Sequence, residues 1–199
     1  MKKFSQIISV MGVFSTFLAV ILGCGGEGKN PVAEWTKSKK IAGKEQKLSH
    51  ISGIVVDEKF VYWVTPTSIL KQAKSGGKVE IVYQATDKEG VDELSQDAET
   101  LYFGFRGAGE SRWDLRKISK TGGEPTTLVK RYSLKPVVVD DTNVYFFNGN
   151  GMSSELLCKI SKTGGEATTL DSGYSSGVIT QSKTQVYFAS LDDIYSFQK

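Results

Sequence analysis

The groups best suited to hold a ligand lie in one glycine-rich stretch, Gly104-Phe105-Arg106-Gly107-Ala108-Gly109-Glu110-Ser111-Arg112-Trp113. It sets Arg106, Glu110 and Arg112 close to Trp113. A guanidinium beside an indole can grip an anionic or planar group, because it offers forked N–H donors and the ring offers its face. The Gly-x-Gly spacing is no nucleotide fingerprint, since no helix follows it. Asp192 and Asp193 are a second candidate. Paired carboxylates could bind Ca²⁺ or move protons, but neighbours on a strand point to opposite sides. Asp140-Asp141 reads as turn chemistry instead. His50 and Cys158 raise a thiol dyad, yet Cys158 reads as a half-buried strand residue and His50 as a capping or surface residue. The single His excludes a His-rich metal centre, and 2 Cys exclude a disulfide framework. With 25 basic residues against 22 acidic ones, the net charge of +3 is too small to suggest nucleic acid. No cofactor is expected.

The elements that would position these groups come from an internal repeat. Lys117-Ile118-Ser119-Lys120-Thr121-Gly122-Gly123-Glu124 recurs as Lys159-Ile160-Ser161-Lys162-Thr163-Gly164-Gly165-Glu166, and more loosely as Lys71 to Gly77. Before each copy stands an apolar residue, a Tyr and an aromatic: Val61-Tyr62-Trp63, Leu101-Tyr102-Phe103 and Val144-Tyr145-Phe146, with Val186-Tyr187-Phe188 as a fourth. The four tyrosines are spaced by 40, 43 and 42 residues. Each unit reads as four strands, A to D. In the third unit these are Pro136–Val139, Val144–Phe147, Leu156–Ser161 and Ala167–Leu170. An Asx turn at Asp140 joins A to B, and a tight Gly164-Gly165 hairpin joins C to D. Four antiparallel strands in roughly 40–45 residues make the blade of a β-propeller. The phrase Tyr62-Trp63-Val64-Thr65 resembles the YWTD-type and related bacterial six-bladed propeller repeats, and that resemblance covers roughly 40–199.

Chain direction sorts the loops onto two faces. The Asp turns and Gly-Gly turns share one face, where their uniformity has a structural explanation. The other face varies. It carries the B–C loops Thr65–Ser68, Gly104–Arg112, Asn148–Glu155 and Ala189–Asp193, and the D–A loops Gln84–Glu93 and Asp171–Gly177. Variable loops on a rigid scaffold are where binding usually resides. The lysines at matched positions of strand C, such as Lys74, Lys120, Lys162 and Lys199, read as charged residues that keep the sheet soluble, or as a basic stripe for anionic lipid or polysaccharide. The domain's two ends also match. Ile194–Lys199 aligns with a strand C, and Lys40–Leu48 aligns with the turn and strand D that should follow it. An N-terminal strand would then complete the last blade. Three arrangements stay open: a four-bladed monomer, two chains joined end to end, or a shortened and open relative of a larger ring.

The N-terminus reads as a signal peptide, with Lys2 and Lys3 before an apolar run from Phe4 to Leu22. Its exit, Ile21-Leu22-Gly23-Cys24, resembles a bacterial lipobox. That resemblance implies cleavage after Gly23, acylation of Cys24, and anchoring of the exported protein to the envelope, at the outer membrane in a Gram-negative cell. Loss of Lys2 and Lys3 leaves 23 basic against 22 acidic residues.

The sequence therefore predicts residues 1–23 as a lipoprotein signal helix, 24–38 as a lipidated Cys and flexible tether, and 39–199 as an all-β propeller domain of about four four-stranded antiparallel blades. The expected function is a lipid-anchored binding or scaffold module in the cell envelope, with no catalytic activity. Its expected partners are the membrane, through the lipid on Cys24, and a protein or glycan, with a homodimer through ring closure as a further option. A propeller hydrolase or lyase working at the channel mouth, and a degenerate propeller, are the alternatives.

Overall fold

The computed structural model describes residues 50–132, 137–149, 155–174 and 176–199. The signal segment, Cys24, the tether with Trp35 and the expected closing strand Lys44–Leu48 lie outside the described residues.

The described chain is all β and forms a four-bladed β-propeller. Blade 1 contains β1 (Gly53–Val56), β2 (Phe60–Thr65), β3 (Ser68–Ala73) and β4 (Glu80–Gln84). Blade 2 contains β5 (Gly90–Gln96), β6 (Thr100–Arg106), β7 (Trp113–Ser119) and β8 (Thr126–Tyr132). Blade 3 contains β9 (Val138–Val139), β10 (Asn143–Asn148), β11 (Glu155–Ser161) and β12 (Thr168–Tyr174). Blade 4 contains β13 (Ser176–Gln181), β14 (Gln185–Ser190) and β15 (Asp193–Gln198). Each blade is an antiparallel meander whose strands pair in chain order. Inner strands carry the contacts between successive blades, β1 with β5, β5 with β9 and β9 with β13.

The apolar-Tyr-aromatic phrase explains the packing. Side chains alternate between the two faces of a strand, so each phrase feeds two seams. Tyr62 and Val64 face blade 2 and join Leu101, Phe103 and Phe105 in one core. Tyr102 and Leu115 face blade 3 and join Val144, Phe146 and Ile160. Phe147 and Leu157 face blade 4 and meet Phe188. The core thus lies between blades, and each seam draws apolar area from two repeats.

Strand boundaries differ from expectation at several loops. β5 already starts at Gly90 and β6 runs on to Arg106, so the expected loops Gln84–Glu93 and Gly104–Arg112 are shorter. Two differences are larger. The C–D connection is longer than a tight hairpin, because β11 ends at Ser161 and β12 begins at Thr168. Gly164 and Gly165 both take positive φ there, at 96° and 112°, a conformation that L side chains rarely adopt. The expected D–A loop Asp171–Gly177 is mostly strand, since β12 runs to Tyr174 and β13 starts at Ser176. A register shift recurs in the C–D pairing of blades 1 to 3, at Ile69/Leu70, Leu115/Arg116 and Leu157/Cys158. Such a bulge strengthens strand twist.

One side-chain cluster repeats in three blades and joins them. Asp97 Oδ1 accepts the backbone N–H groups of Glu99 (3.0 Å) and Thr100 (2.8 Å), which closes the A–B turn. Its Oδ2 accepts the Tyr102 hydroxyl at 2.9 Å and the Lys162 ammonium of the next blade at 2.5 Å. Asp57 takes Tyr62 and Lys120 in the same way, at 3.0 and 3.2 Å. Asp140 takes Tyr145 at 3.0 Å and Lys199 at 3.7 Å. Each lysine is also fixed by its backbone N–H to its own blade's A–B turn, as Lys120 N is to Glu99 O at 2.9 Å. These lysines are therefore clamps between blades and not a solvated stripe; Lys120 is only 7% exposed. In blade 4 the acidic slot is Ser182, whose Oγ can close the turn on Gln185 N (3.1 Å) but carries no charge. Tyr187 gives its hydroxyl to Gln185 instead, at 2.6 Å.

Electrostatics follow from this geometry. Burial alone would raise the Asp97 carboxyl; the Lys162 ammonium, the turn amides and Tyr102 outweigh it and hold it below the usual carboxylate range. Asp57 and Asp140 are lowered by the corresponding bonds against the same opposing burial. Burial and the neighbouring carboxylate push the Tyr145 phenol up to about 12. Because the three folded-state carboxyls are lowered, their contribution is present above the unfolded carboxylate value near about 4 and is lost as pH falls through the folded values. Thermal melts should therefore hold steady from about pH 8 to 5 and drop on further acidification. Tyr102→Phe should cost about 1–2 kcal/mol, because it strips a donor from a partly buried carboxylate, whereas Tyr187→Phe should cost less. Equal losses in denaturant melts would remove the special role of the Asp–Tyr pair.

Candidate functional site

The variable-loop face holds the residues expected there, and the structure shows how each is placed. Blade 2 presents its B–C loop between Arg106, the last residue of β6, and Trp113, the first of β7. Arg106 is exposed, and its guanidinium lies 4.9 Å from the centroid of the Trp113 ring. Gly90, paired with Arg106 across the sheet, leaves room for this stack. A Cβ on Gly90 would stand 3.2 Å from Trp113 Cη2 and 3.5 Å from Arg106 Nε. The loop turns through Gly109, with φ at 77°, and the Glu110 N–H donates to Gly107 O at 3.1 Å. Glu110 is exposed. Arg112 is half-buried and reaches the blade 3 loop, where Nη1 lies 3.5 Å from Gly149 O. The loop thus presents one exposed guanidinium on an aromatic base, while Arg112 turns to the blade 3 loop.

Asp192 and Asp193 do not join this cluster. They sit on blade 4, at the two-residue B–C hairpin that Leu191 turns with φ at 53°. Both are exposed, and Asp193 accepts the Tyr195 hydroxyl at 3.4 Å. His50 is exposed ahead of blade 1, while Cys158 is buried in the seam between blades 2 and 3. Burial raises the Cys158 thiol, and its sulfur sits 3.8 Å from Thr169 Oγ1. A thiol kept protonated is a poor nucleophile.

The opposite face contains what the sequence reading passed over. A cavity of about 600 Å³ opens among the A–B and C–D turns of blades 2, 3 and 4. Asp97, Asp140, Lys162, Gln181 and Lys199 line it, with Glu99, Asp141 and Lys183 at its rim. The signal was visible as repeated Asp and Lys, but it could be assigned to turns without knowing that neighbouring blades bring those turns together. Chemically, Asp97 and Asp140 are already committed. Each accepts turn amides, a tyrosine and a lysine, and both are held ionised at low pKa. Carboxylates stabilised in this way make weak bases. Among the described residues no group of three or more His, Cys, Asp or Glu is placed to hold a metal ion.

Arg116 is a further residue not singled out from sequence. Its guanidinium carbon lies 3.4 Å from the Phe105 ring centroid, and its Nη2 lies 3.7 Å from Asp114 Oδ2. The signal was its place in a column otherwise filled by Leu70, Cys158 and Tyr195.

No family model matches this sequence, and no curated protein matches it. Solved structures match in fold. The computationally designed Ika4 protein is similar at a TM-score of 0.61 and 11% identity, over 81% of this chain and 99% of Ika4. A putative TolB from Agrobacterium tumefaciens is similar at 0.59 and 13% identity, over 75% of this chain and 58% of its own. An oligogalacturonate lyase in complex with manganese is similar at 0.57 and 12% identity, over 71% of this chain and 48% of its own. The chain thus spans about half the length of these two natural proteins and nearly all of the designed one. At such identities the likeness establishes the propeller fold. A fold shared by a lyase and a designed protein does not choose between binding and catalysis.

The Arg106–Trp113 stack gives a direct check on the loop's geometry. Gly90→Val should push the indole off its seat and lower the melting midpoint, with a cost of about 1–3 kcal/mol typical of an overpacked contact. Arg106→Ala should leave the midpoint nearly unchanged, since exposed cation–π pairs contribute only about 0.5–1 kcal/mol. It should instead make Trp113 more accessible to a fluorescence quencher.

Proposed function

We propose that the protein is a lipid-anchored binding module of the bacterial cell envelope, held to the membrane through Cys24 and engaging an anionic group of an envelope protein or glycan with the loop face of blade 2. The observation that carries this reading is the Arg106 guanidinium, exposed and stacked on Trp113 at the edge of a rigid sheet. A guanidinium seated on an aromatic ring keeps its N–H edge free to fork onto a carboxylate, sulfate or phosphate. Arg112 adds a second cation on the same loop, and Glu110 selects against a ligand carrying negative charge throughout. Asp192 and Asp193, on a different blade, stand as an exposed acidic pair apart from this grip.

A binding role is supported over catalysis by the state of the charged groups. Asp97 and Asp140, which line the turn-face cavity, are consumed by the clamps between blades, and the thiol of Cys158 is buried. Anchoring is supported by the Leu22-Gly23-Cys24 exit of the apolar N-terminal run. Lipidation would add about 0.8 kcal/mol per buried methylene, so multiple acyl chains hold stably.

Two measurements test the two halves. Metabolic labelling with a fatty-acid analogue should mark the wild type and leave Cys24→Ser unmarked; equal labelling of both contradicts the anchor. Affinity capture from solubilised envelope should retain a component on the wild type that is lost on Arg106→Ala/Arg112→Ala at low salt. Retention of the same component by both proteins would move the binding surface away from this loop.

A further inference from the structure

The repeat makes each blade's two faces comparable across the molecule, and one face breaks the pattern. The positions facing the following blade are occupied in strands B and C by Val64 and Ile69 in blade 1, Gly104 and Leu115 in blade 2, Phe147 and Leu157 in blade 3, and Ala189 and Ile194 in blade 4. Ile69, Leu115 and Leu157 are each 0% exposed, whereas Ile194 is 82% exposed. Val178 on β13 is 63% exposed on the same sheet face, and together with Ala189 and Ile194 it lines an apolar hollow of about 190 Å³.

Blade 1 exposes its inner strand on the opposite face, the one that in blades 2 to 4 receives the preceding blade. Ile54 is 66% exposed and Val56 is 52% exposed on β1. Their counterparts in blade 3, Val137 and Val139, are 8% and 9% exposed because blade 2 covers them. Trp63 and Leu70, on the middle strands of this face, are buried. The opening therefore lies at the inner strand.

We propose that these two faces form an interface between copies of this chain, with the outward face of blade 4 on one copy seated against β1 of a second copy. The complementarity is written into the repeat. In the seam between blades 1 and 2, a Cβ on Gly53 would stand 3.0–3.1 Å from Leu94 N and Cβ, so these positions touch. Counted one residue on from the adjacent pairs Ile179↔Phe188 and Ser95↔Tyr102, across the register irregularities of β13 and β5, Val178 aligns with Gly53 and Leu94 with Ile54. The same contact drawn between copies brings Val178 onto Ile54, and both are exposed β-branched residues. The contact continues the blade-to-blade packing already present within the chain. It lacks the ionic clamp of the other seams, since Ser182 fills the acidic slot while Lys74, the matching lysine of blade 1, is exposed. This interface is heterologous, so copies associate head to tail.

The test uses two full-length chains with different tags, one carrying Ile54→Cys and the other Val178→Cys. Mixed and oxidised, they should give a crosslinked species bearing both tags, several-fold above that from wild type mixed with either variant. Native Cys158 is buried and contributes little, and the wild-type mixtures account for Cys24. Ile194→Asp should lower the sedimenting mass at a given protein concentration without moving the melting midpoint, because the side chain is exposed in the isolated chain. Absence of a doubly tagged species overturns the proposal, as does an Ile54→Cys/Val178→Cys double variant that crosslinks only within one chain. An unchanged mass for Ile194→Asp overturns it as well.

Discussion

The structure depends on a carboxylate that serves two blades. Asp57, Asp97 and Asp140 each close the A–B turn of their own blade through one oxygen and accept a tyrosine and a neighbouring lysine through the other. Turn chemistry and blade assembly are therefore one interaction. Charge-assisted hydrogen bonds are about twice as strong as neutral ones, and here they sit at the rim of apolar seams where water is partly excluded. The tyrosine ring belongs to the seam core while its hydroxyl belongs to the clamp, so apolar packing and ionic pairing fix the same geometry.

That arrangement explains why the chemistry of the molecule divides between its faces. The turn face is rich in charge, yet Asp57, Asp97 and Asp140 and their lysines are spent on joining blades. The loop face carries fewer charged groups, but Arg106 stands free on its aromatic base. A propeller can vary its loops at little cost because its seams do not depend on them. In blade 4 the acidic slot becomes Ser182, and the sheet beyond it is the one whose outward face stays exposed. The loss of the clamp and the loss of cover coincide at the same position around the chain.

Much of the fold was legible in the sequence because the repeat is local. The Val-Tyr-aromatic phrase, the Asp turn and the Gly-Gly turn each report backbone geometry within a few residues, so the blades and most strand limits could be read directly. What a single repeat could not reveal was the contact between repeats. Lys120 and Lys162 look like solvent-facing residues on their own strand, and only the neighbouring blade makes them partners of Asp57 and Asp97, with Lys120 buried and Lys162 half-buried. Arg116 escaped for the same reason, since Phe105 reaches it from the adjoining strand and the seam. Chain direction fixes which loops share an end, so the face of the Gly104–Arg112 loop was legible. Its internal geometry was not legible, because the seat for Trp113 is made by Gly90, far away in sequence. Asp192 and Asp193 look equivalent to a ligand pair in sequence, but the hairpin leaves them on a blade apart from the arginines.

The most direct measurement of the clamp is a double-mutant cycle between blades 2 and 3, with Asp97→Asn, Lys162→Met and the double variant followed by chemical denaturation at neutral pH. The account predicts a coupling energy between Asp97 and Lys162 of about 1–3 kcal/mol, with the double variant less destabilised than the sum of the single variants. Additive losses, agreeing within about 0.3 kcal/mol, would contradict it and would leave the seams held by apolar packing alone.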